Sequence, residues 1–457
     1  MRNSALLTDF YQYTMAYGYW QLGMHHQETI FHLFFRRNPL RGDYVVANGL
    51  ENVIQFLKTF QITQEDIDYL ASINHINFSV DFLNYLKTLR FTGDIDAVPE
   101  GSVVFANEPL LRIKAPIILC QLLETPLINM LNFSSAVATL ASRMRTAVGN
   151  DVIFEFGLRR AQGPDGGITA SRAAYLGGFD ATSNVLAGQY FHIPVVGTMS
   201  HSWIMAFENE MIAFEEYARI MPNNVILLVD TYDTAMGIEH VIAVAKKFKK
   251  YGARLQGVRL DSGELATLTR LARQQLNHAG LEDTKIYVSG DLSEERIADL
   301  KCVNAPIDGW GVGTNISTSY DQPALDMVYK LSAIHKNGKW RYKLKRSDNR
   351  IKTSDPGMLQ VKRYFQDKKW LRDIIYHEGF GITEKINSLK ERSCDLLLPI
   401  FRDGNCVYSI PTLASSRTYC MEQVKQFNAS KNTGYSVQRD SQLAAMKQQL
   451  MDATHDE

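Results

Sequence analysis

Between residues 151 and 325, short apolar runs alternate with longer amphipathic ones. DVIFEFG, PVVGTM, NVILLVD, LQGVRLD, KIYVSGD and IDGWGVGT read as buried strands. Segments such as TAMGIEHVIAVAKKFKKYG and GELATLTRLARQQLNHAG read as the helices between them. The steps from Asp230 to Asp261 to Gly290 are each close to one strand–helix unit. That rhythm predicts an all-parallel sheet or a (β/α) barrel.

The flanking regions have a different texture. Residues 8–22 predict a helix capped by Thr8 or Asp9. It carries two apolar stripes: Phe10, Tyr13, Tyr17 and Trp20 on one, Tyr11, Met15 and Leu22 on the other. One core needs only one stripe, so the second must face something else. Residues 28–50 and 91–114 are β-rich, with FHLFF and YVVANG as strands and antiparallel hairpins in GDIDAVPEGSVVFANEPLLRI. A helical, polar stretch, 51–90, lies between them. Residues 116–148 form a long apolar helical region with a bend expected at Pro126. After 325 the rhythm stops, and short basic strands such as KWRYKLKR and LQVKRYF follow. The expected organisation is an N-terminal α+β domain (1–115), an α/β barrel catalytic domain (116–325) and a C-terminal region (326–457) packing partly back on the first.

Composition narrows the class. The chain has 457 residues, 45% hydrophobic and 21% charged, typical of a globular protein. Lys plus Arg equals Asp plus Glu at 49 each, which argues against nucleic-acid and membrane-surface partners. No apolar run in the sequence approaches the roughly 18 residues of a membrane span. The start, MRNSALLTDFYQ, lacks the apolar core and cleavage site of a secretory signal. Five cysteines without a CxxC spacing suggest free thiols in a reducing compartment, hence a cytoplasmic protein.

In α/β barrels the C-terminal ends of the strands carry the site. FGLRR, GTMSH, VDTYD, VRLDSG, VSGD and GVGT are therefore expected to converge on one mouth. There Gly311-Val312-Gly313-Thr314 can bring backbone N–H groups to a phosphate, or serve as a plain tight turn. Arg259 and Asp261 share a strand face at i, i+2. The Arg suits a planar anion, and the Asp suits sugar hydroxyls or a metal; an internal salt bridge is the structural alternative. Asp230 can orient His201 through a ring nitrogen, or it or Asp233 can cap a helix. Arg159 and Arg160 precede a Gly-rich loop and suggest anion binding, or a solvated surface pair. His201 itself, between two serines, is either a core histidine or a nucleophile. Together with Phe156, the set fits a phosphorylated sugar, a flat acidic ring and phosphoryl chemistry.

LLTDFYQYTMAYGYW, FFRRNP, FGLRRAQGPDGG, YLGGFDATSNVLAGQ, GTMSHSW, GVRLDSG and GVGT resemble the nicotinate phosphoribosyltransferase family, in family order from Leu6 to about Tyr329. The resemblance implies the type II phosphoribosyltransferase fold, with an irregular (β/α) barrel, an N-terminal α+β domain and a C-terminal extension. It also implies a homodimer with sites at the interface. The implied reaction joins nicotinate to phosphoribosyl pyrophosphate, giving nicotinate mononucleotide and pyrophosphate in NAD salvage. ATP is the implied co-substrate, with Mg²⁺. Residue by residue, His201 matches the phosphorylated histidine and Asp230 the acid beside it. Tyr11, Phe156, Thr198 and Arg259 match nicotinate contacts, Tyr11 reaching the neighbouring subunit's site. Arg159, Asp261, Gly290, Gly313 and Thr314 match phosphoribosyl pyrophosphate contacts. The nicotinamide-using relative has an Asp that accepts from the carboxamide. Asn184 stands near that position here, which favours the acid. The competing readings are a nicotinamide phosphoribosyltransferase and a catalytically silent barrel that senses nucleotides or phosphosugars.

Overall fold

The computed structural model describes residues 4–39, 42–346, 353–383 and 390–453. The chain divides into two compact units: Met1–Thr139 with Ala324–Glu457, and Leu140–Pro323.

In the first unit, the apolar FHLFF run lies in strand Glu28–Phe35, near the middle of a seven-stranded antiparallel sheet. Its neighbours are Met327–Lys336 on one side and Leu111–Pro116 on the other. Leu398–Arg402 joins the same sheet beside Asp94–Ala97. The C-terminal region therefore completes the N-terminal sheet strand by strand, and the two share one core. A second sheet joins Arg392–Asp395, Leu359–Gln366, Lys369–His377 and Ser436–Arg439.

Helix Phe10–Gln21 follows Asp9, whose carboxylate caps no backbone N–H and instead accepts from Thr125 Oγ1 at 2.8 Å. Phe10, Tyr17 and Trp20 pack in a ring cluster with Phe78 and Phe82, while Tyr11, Met15 and Leu22 are exposed. Ile117–Val148 is a single 32-residue helix that contains Pro126. The unit boundary falls inside it, at 139/140 and not at 115/116, because Ile118, Leu119, Leu122, Leu123 and Leu127 belong to the first unit's core. By length and composition this helix could cross a membrane, contrary to the reading of the apolar runs; its apolar window is 61% buried inside the protein, as in a core helix. All five cysteines are free thiols.

The first unit buries two neutral histidines. His32 Nε2 accepts from the Leu359 N–H at 3.2 Å, and His377 Nδ1 from the Gly379 N–H at 3.1 Å. Burial, then the nearby Arg112 guanidinium, lowers both pKa values. Unfolding frees both to titrate near their ordinary value of about 6.5. Between the folded and unfolded pKa values the unfolded chain binds more protons, so stability is full above about pH 6.5 and falls as pH drops below it. The expected urea midpoint is flat from about pH 8 to 7 and declines toward pH 5. A midpoint that stays constant down to pH 5 contradicts the assignment.

The second unit is a barrel of parallel strands. The order Ala181–Thr182, Val152–Glu155, Gly309–Val312, Lys285–Val288, Gly257–Leu260, Ile226–Leu228 is parallel at every pair. A single parallel bridge adds Val195 beside Thr182. Between this last segment and Ile226–Leu228 no strand pairing is formed, and the Asn224 side-chain amide donates to the Gly197 carbonyl at 2.9 Å. This gap makes the barrel irregular. Ile153, Leu227, Val258, Ile286, Trp310 and Val312 are almost fully buried. Phe154, Phe156, Ile226, Arg259, Tyr287 and Gly311 face an interior cavity of ≈ 310 Å³.

Glycine opens that cavity. A Cβ at Gly257 would come within 2.6 Å of the Tyr287 ring, at Gly309 within 2.5 Å of it, and at Gly311 within 2.7 Å of the Phe156 ring. A barrel interior is usually filled by branched side chains. Here three backbone positions give up their side chains, and flat rings lie against them.

Candidate active site

Each strand end delivers its polar residues where alternation directs them. Arg259 and Asp261 point the same way, and Ser289 joins them from the adjacent strand's end. Arg259 Nε donates to Ser289 Oγ at 2.9 Å and Nη2 to Asp261 Oδ1 at 2.6 Å. Ser289 Oγ donates in turn to Asp261 Oδ1. Arg259 Nη1 makes only long contacts, to Thr198 Oγ1 at 3.4 Å and the Met199 carbonyl at 3.5 Å. Its guanidinium carbon lies 5.9 Å from the Phe156 ring centroid. Burial alone would raise the Asp261 pKa; the Arg259 charge and the Ser289 hydrogen bond outweigh it and hold the carboxyl below its ordinary value.

His201 opens the short helix His201–Met205, and its side chain is 41% exposed. Nδ1 lies 3.1 Å from Thr231 Oγ1, and Nε2 faces Asp261 Oδ2 at 3.9 Å. Asp230 does not hold the imidazole. Its Oδ2 accepts from the Asp261 N–H at 2.9 Å and from Ser262 Oγ at 2.6 Å, and Oδ1 is buried without a partner. The strand end aims Asp230 across to the neighbouring loop, and Thr231, one residue on, reaches the ring. Asp233 caps helix Thr234–Phe248 through the Met236 N–H at 2.9 Å.

Gly290 has φ +88°, and a Cβ there would collide with the Asp261 carbonyl oxygen, so only glycine fits. Gly313 immediately precedes helix Thr314–Thr318. Of the consecutive arginines, Arg160, not Arg159, meets that loop: its Nη1 donates to Thr314 Oγ1 at 3.2 Å and lies 3.9 Å from Asp291. Arg159 is exposed in the 3₁₀ turn Leu158–Arg160. Gly157, beneath them, has no room for a Cβ against Ser317 and the Gly313 carbonyl.

Asn184 has no place in the cavity lining. It is buried, caps helix Val185–Phe191 through the Ala187 N–H at 3.2 Å, and donates to Ser171 Oγ at 3.1 Å. It therefore says nothing about acid against amide. The lining, Phe154, Phe156, Thr198, Asn224, Tyr287 and their neighbours, includes one charged residue, Arg259, and no carboxylate. Tyr11 belongs to the first unit, half-exposed on its helix; burial, then the Glu124 and Asp9 charges, raises its phenol pKa.

The residues missed from sequence were Ser289, Thr231 and Tyr287; Arg160 reads beside Arg159 as an anion binder, but the family match is to Arg159 alone. Tyr287 and Ser289 were accessible, since both lie at i, i+2 on a strand whose far end carries Gly290. Thr231 was not, because adjacency to Asp230 does not say which of the two side chains turns toward His201.

No group of three or more His, Cys, Asp or Glu side chains converges on a metal-sized site among the described residues. The unpartnered Asp230 Oδ1 beside Asp261 suits a hard cation that keeps most of its ligands from phosphates and water.

Residues 6–132 match the family model described as the nicotinate phosphoribosyltransferase N-terminal domain, and 152–372 that of the nicotinate phosphoribosyltransferase family. Nicotinate phosphoribosyltransferase pncB2 of Mycobacterium tuberculosis is 39% identical over 438 residues, covering 94% of this chain and 90% of its own. Nicotinate phosphoribosyltransferase of Bacillus subtilis is 45% identical over 362 residues, covering 79% and 73%. Among solved structures, human nicotinic acid phosphoribosyltransferase superposes with a TM-score of 0.80 at 30% identity, covering 97% of this chain and 99% of that one.

Proposed function

Because the chain belongs to the nicotinate phosphoribosyltransferase family, we propose that it joins nicotinate to phosphoribosyl pyrophosphate, giving nicotinate mononucleotide and pyrophosphate in NAD synthesis by salvage. The observation that supports the choice of the acid is the cavity lining: its one charged residue is a guanidinium beside an aromatic ring, and no carboxylate is among the lining residues, Asp261 lying on the guanidinium's Nη2 outside that lining. A carboxylate on a flat heterocycle finds a charge-assisted partner there. A carboxamide has no charge to pair with the guanidinium, and its NH2 finds no carboxylate in the lining, which weighs against the nicotinamide reading.

The ring nitrogen attacks C1 of the ribose as the C1–O bond to pyrophosphate breaks. Catalysis then consists of in-line placement and stabilisation of charge. Arg259 holds the nicotinate carboxylate and Phe156 stacks the ring, with Thr198 at the cavity wall. Asp261 and the Gly290 turn take the ribose side. Gly313, Thr314 and the arginines of the 3₁₀ turn take phosphate. Asp230 and Asp261 would hold Mg²⁺, which would supply neutralisation of the pyrophosphate charge.

ATP enters through His201. With Nδ1–H donated to Thr231, the Nε2 lone pair attacks the γ-phosphorus; an N–P bond forms, the P–O bond to ADP breaks, and ADP leaves. The new negative charge on the imidazole favours ordering of the substrate loops. A second copy of the chain covering the exposed Tyr11, Met15 and Leu22 stripe would account for that stripe and bring Tyr11 to the partner's site.

The test is mononucleotide formation from nicotinate and from nicotinamide, with and without ATP, alongside labelling from γ-labelled ATP. The expected result is product from the acid, stimulated by ATP, with acid-labile label on the protein. His201→Asn takes up no label, and its nicotinate kcat/KM falls to the ATP-free level, about tenfold. Label retained by His201→Asn removes that nucleophile, and preference for the amide removes the substrate assignment. Any release of pyrophosphate dismisses a silent sensor.

A further inference from the structure

We infer that Ser289 is the positioning residue that selects nicotinate over nicotinamide, by holding Asp261 to Arg259 through one oxygen only and leaving the guanidinium's other edge for the substrate carboxylate. The inference rests on the nicotinate reading above and names what holds that reading's anion-binding cation in place.

A guanidinium offers five N–H groups along two edges. The side edge, Nε with one Nη2 hydrogen, is the edge that a carboxylate grips with both oxygens. Asp261, two residues along the same strand direction, is placed to do this. It does not, because Ser289 Oγ stands between: it accepts from Nε at 2.9 Å and donates its own O–H to Asp261 Oδ1. Asp261 is left with one oxygen on Arg259, Oδ1 to Nη2 at 2.6 Å, and the other, Oδ2, 3.9 Å from His201 Nε2.

Two consequences follow from that one hydroxyl. The side edge of Arg259 is fully used, so the guanidinium cannot swivel about its Nε. Its other edge, Nη1 with the second Nη2 hydrogen, remains for a ligand, since the Nη1 contacts to Thr198 and Met199 are 3.4 and 3.5 Å long. Thr198, beside Nη1, lines the cavity together with Arg259 and Phe156. The second consequence is that Asp261 keeps an oxygen facing the histidine. Ser289 is 4% exposed, so water has little access to replace it. Without the hydroxyl, Asp261 closes on Arg259 with both oxygens, draws Oδ2 from His201 and turns the free edge away from the ring site.

The experiment compares Ser289→Ala and Ser289→Thr with the native enzyme, following nicotinate KM and kcat and the inhibition constant of nicotinamide. The expected result for Ser289→Ala is a rise of about tenfold in nicotinate KM, kcat within about threefold, and an unchanged nicotinamide constant, so that discrimination falls. Ser289→Thr, which keeps the hydroxyl, recovers most of the KM. Equal weakening of nicotinate and nicotinamide by Ser289→Ala, or no change in nicotinate KM, overturns the inference; so does a Thr variant that folds with the native melting temperature yet behaves like Ala. A native enzyme that makes no mononucleotide from nicotinate instead overturns the reading beneath it, and is seen before any variant is measured.

Discussion

Arg259→Ala lowers kcat/KM for nicotinate by about 10²–10³, the scale of about 2–5 kcal/mol for removing one member of a buried, hydrogen-bonded charge pair. Three effects add. The cavity loses the one cation in its lining, so a carboxylate entering it has no charged partner. The Phe156 ring loses the group that lies over it. Asp261 loses the charge that does most to keep its carboxyl ionised against burial, so its pKa rises. Below the raised pKa the carboxyl is neutral, and the acid limb of the activity profile therefore moves to higher pH. Arg259→Lys restores little, because an ammonium cannot serve Ser289, Asp261 and a substrate carboxylate in one plane. Steady-state kinetics with nicotinate across pH measures both effects. A variant with native nicotinate KM, or one whose acid limb does not move, refutes the assignment of the anion site.

The second large effect is on stability, in the sheet that ends the first unit. Arg363 is almost fully buried. It grips Asp373 with Nε to Oδ1 at 2.9 Å and Nη2 to Oδ2 at 2.6 Å, and also donates to the Val103 carbonyl at 2.8 Å and to Gln423 Oε1 at 3.2 Å. Its guanidinium lies 3.8 Å from the Trp370 ring centroid. Glu108, also buried, shares this pocket. Burial first, and then the Asp373 charge, push its carboxyl well above the usual range despite Arg363, so it holds its proton more tightly than a free carboxyl does. Arg363→Met leaves Asp373 buried with no cation, and costs about 3–5 kcal/mol of urea unfolding free energy. Asp373→Asn costs less, because Glu108 is then free to ionise beside Arg363 and take over the pairing. The order of the two, measured at pH 7, is the informative result. Equal losses, or a larger one for Asp373→Asn, would mean that Glu108 is no reserve.

Much of the site was legible because it depends on a short-range rule. Strand alternation alone puts Arg259 and Asp261 on one face, and the βα rhythm alone gathers His201, Asp230, Gly290 and Thr314 at strand ends. The errors arose where a contact depends on which neighbour a side chain turns to. Asp230 turns to the 261–262 loop and leaves His201 to Thr231. Arg160, not its neighbour Arg159, reaches Thr314. Asn184 is spent on a helix cap and a serine, and the one charged side chain in the cavity lining is Arg259 instead.

By itself the amino-acid order determined which segments are strands, which are helices, and which ends carry chemistry, because periodicity and turn chemistry act over a few residues. The tertiary structure decided the rest. It placed strands from beyond residue 325 inside the N-terminal sheet, left the barrel unpaired between Val195 and Ile226–Leu228, and set Ser289 between Arg259 and Asp261. Those outcomes depend on contacts between residues tens to hundreds of positions apart, whose geometry follows from how whole sheets pack and not from any local pattern.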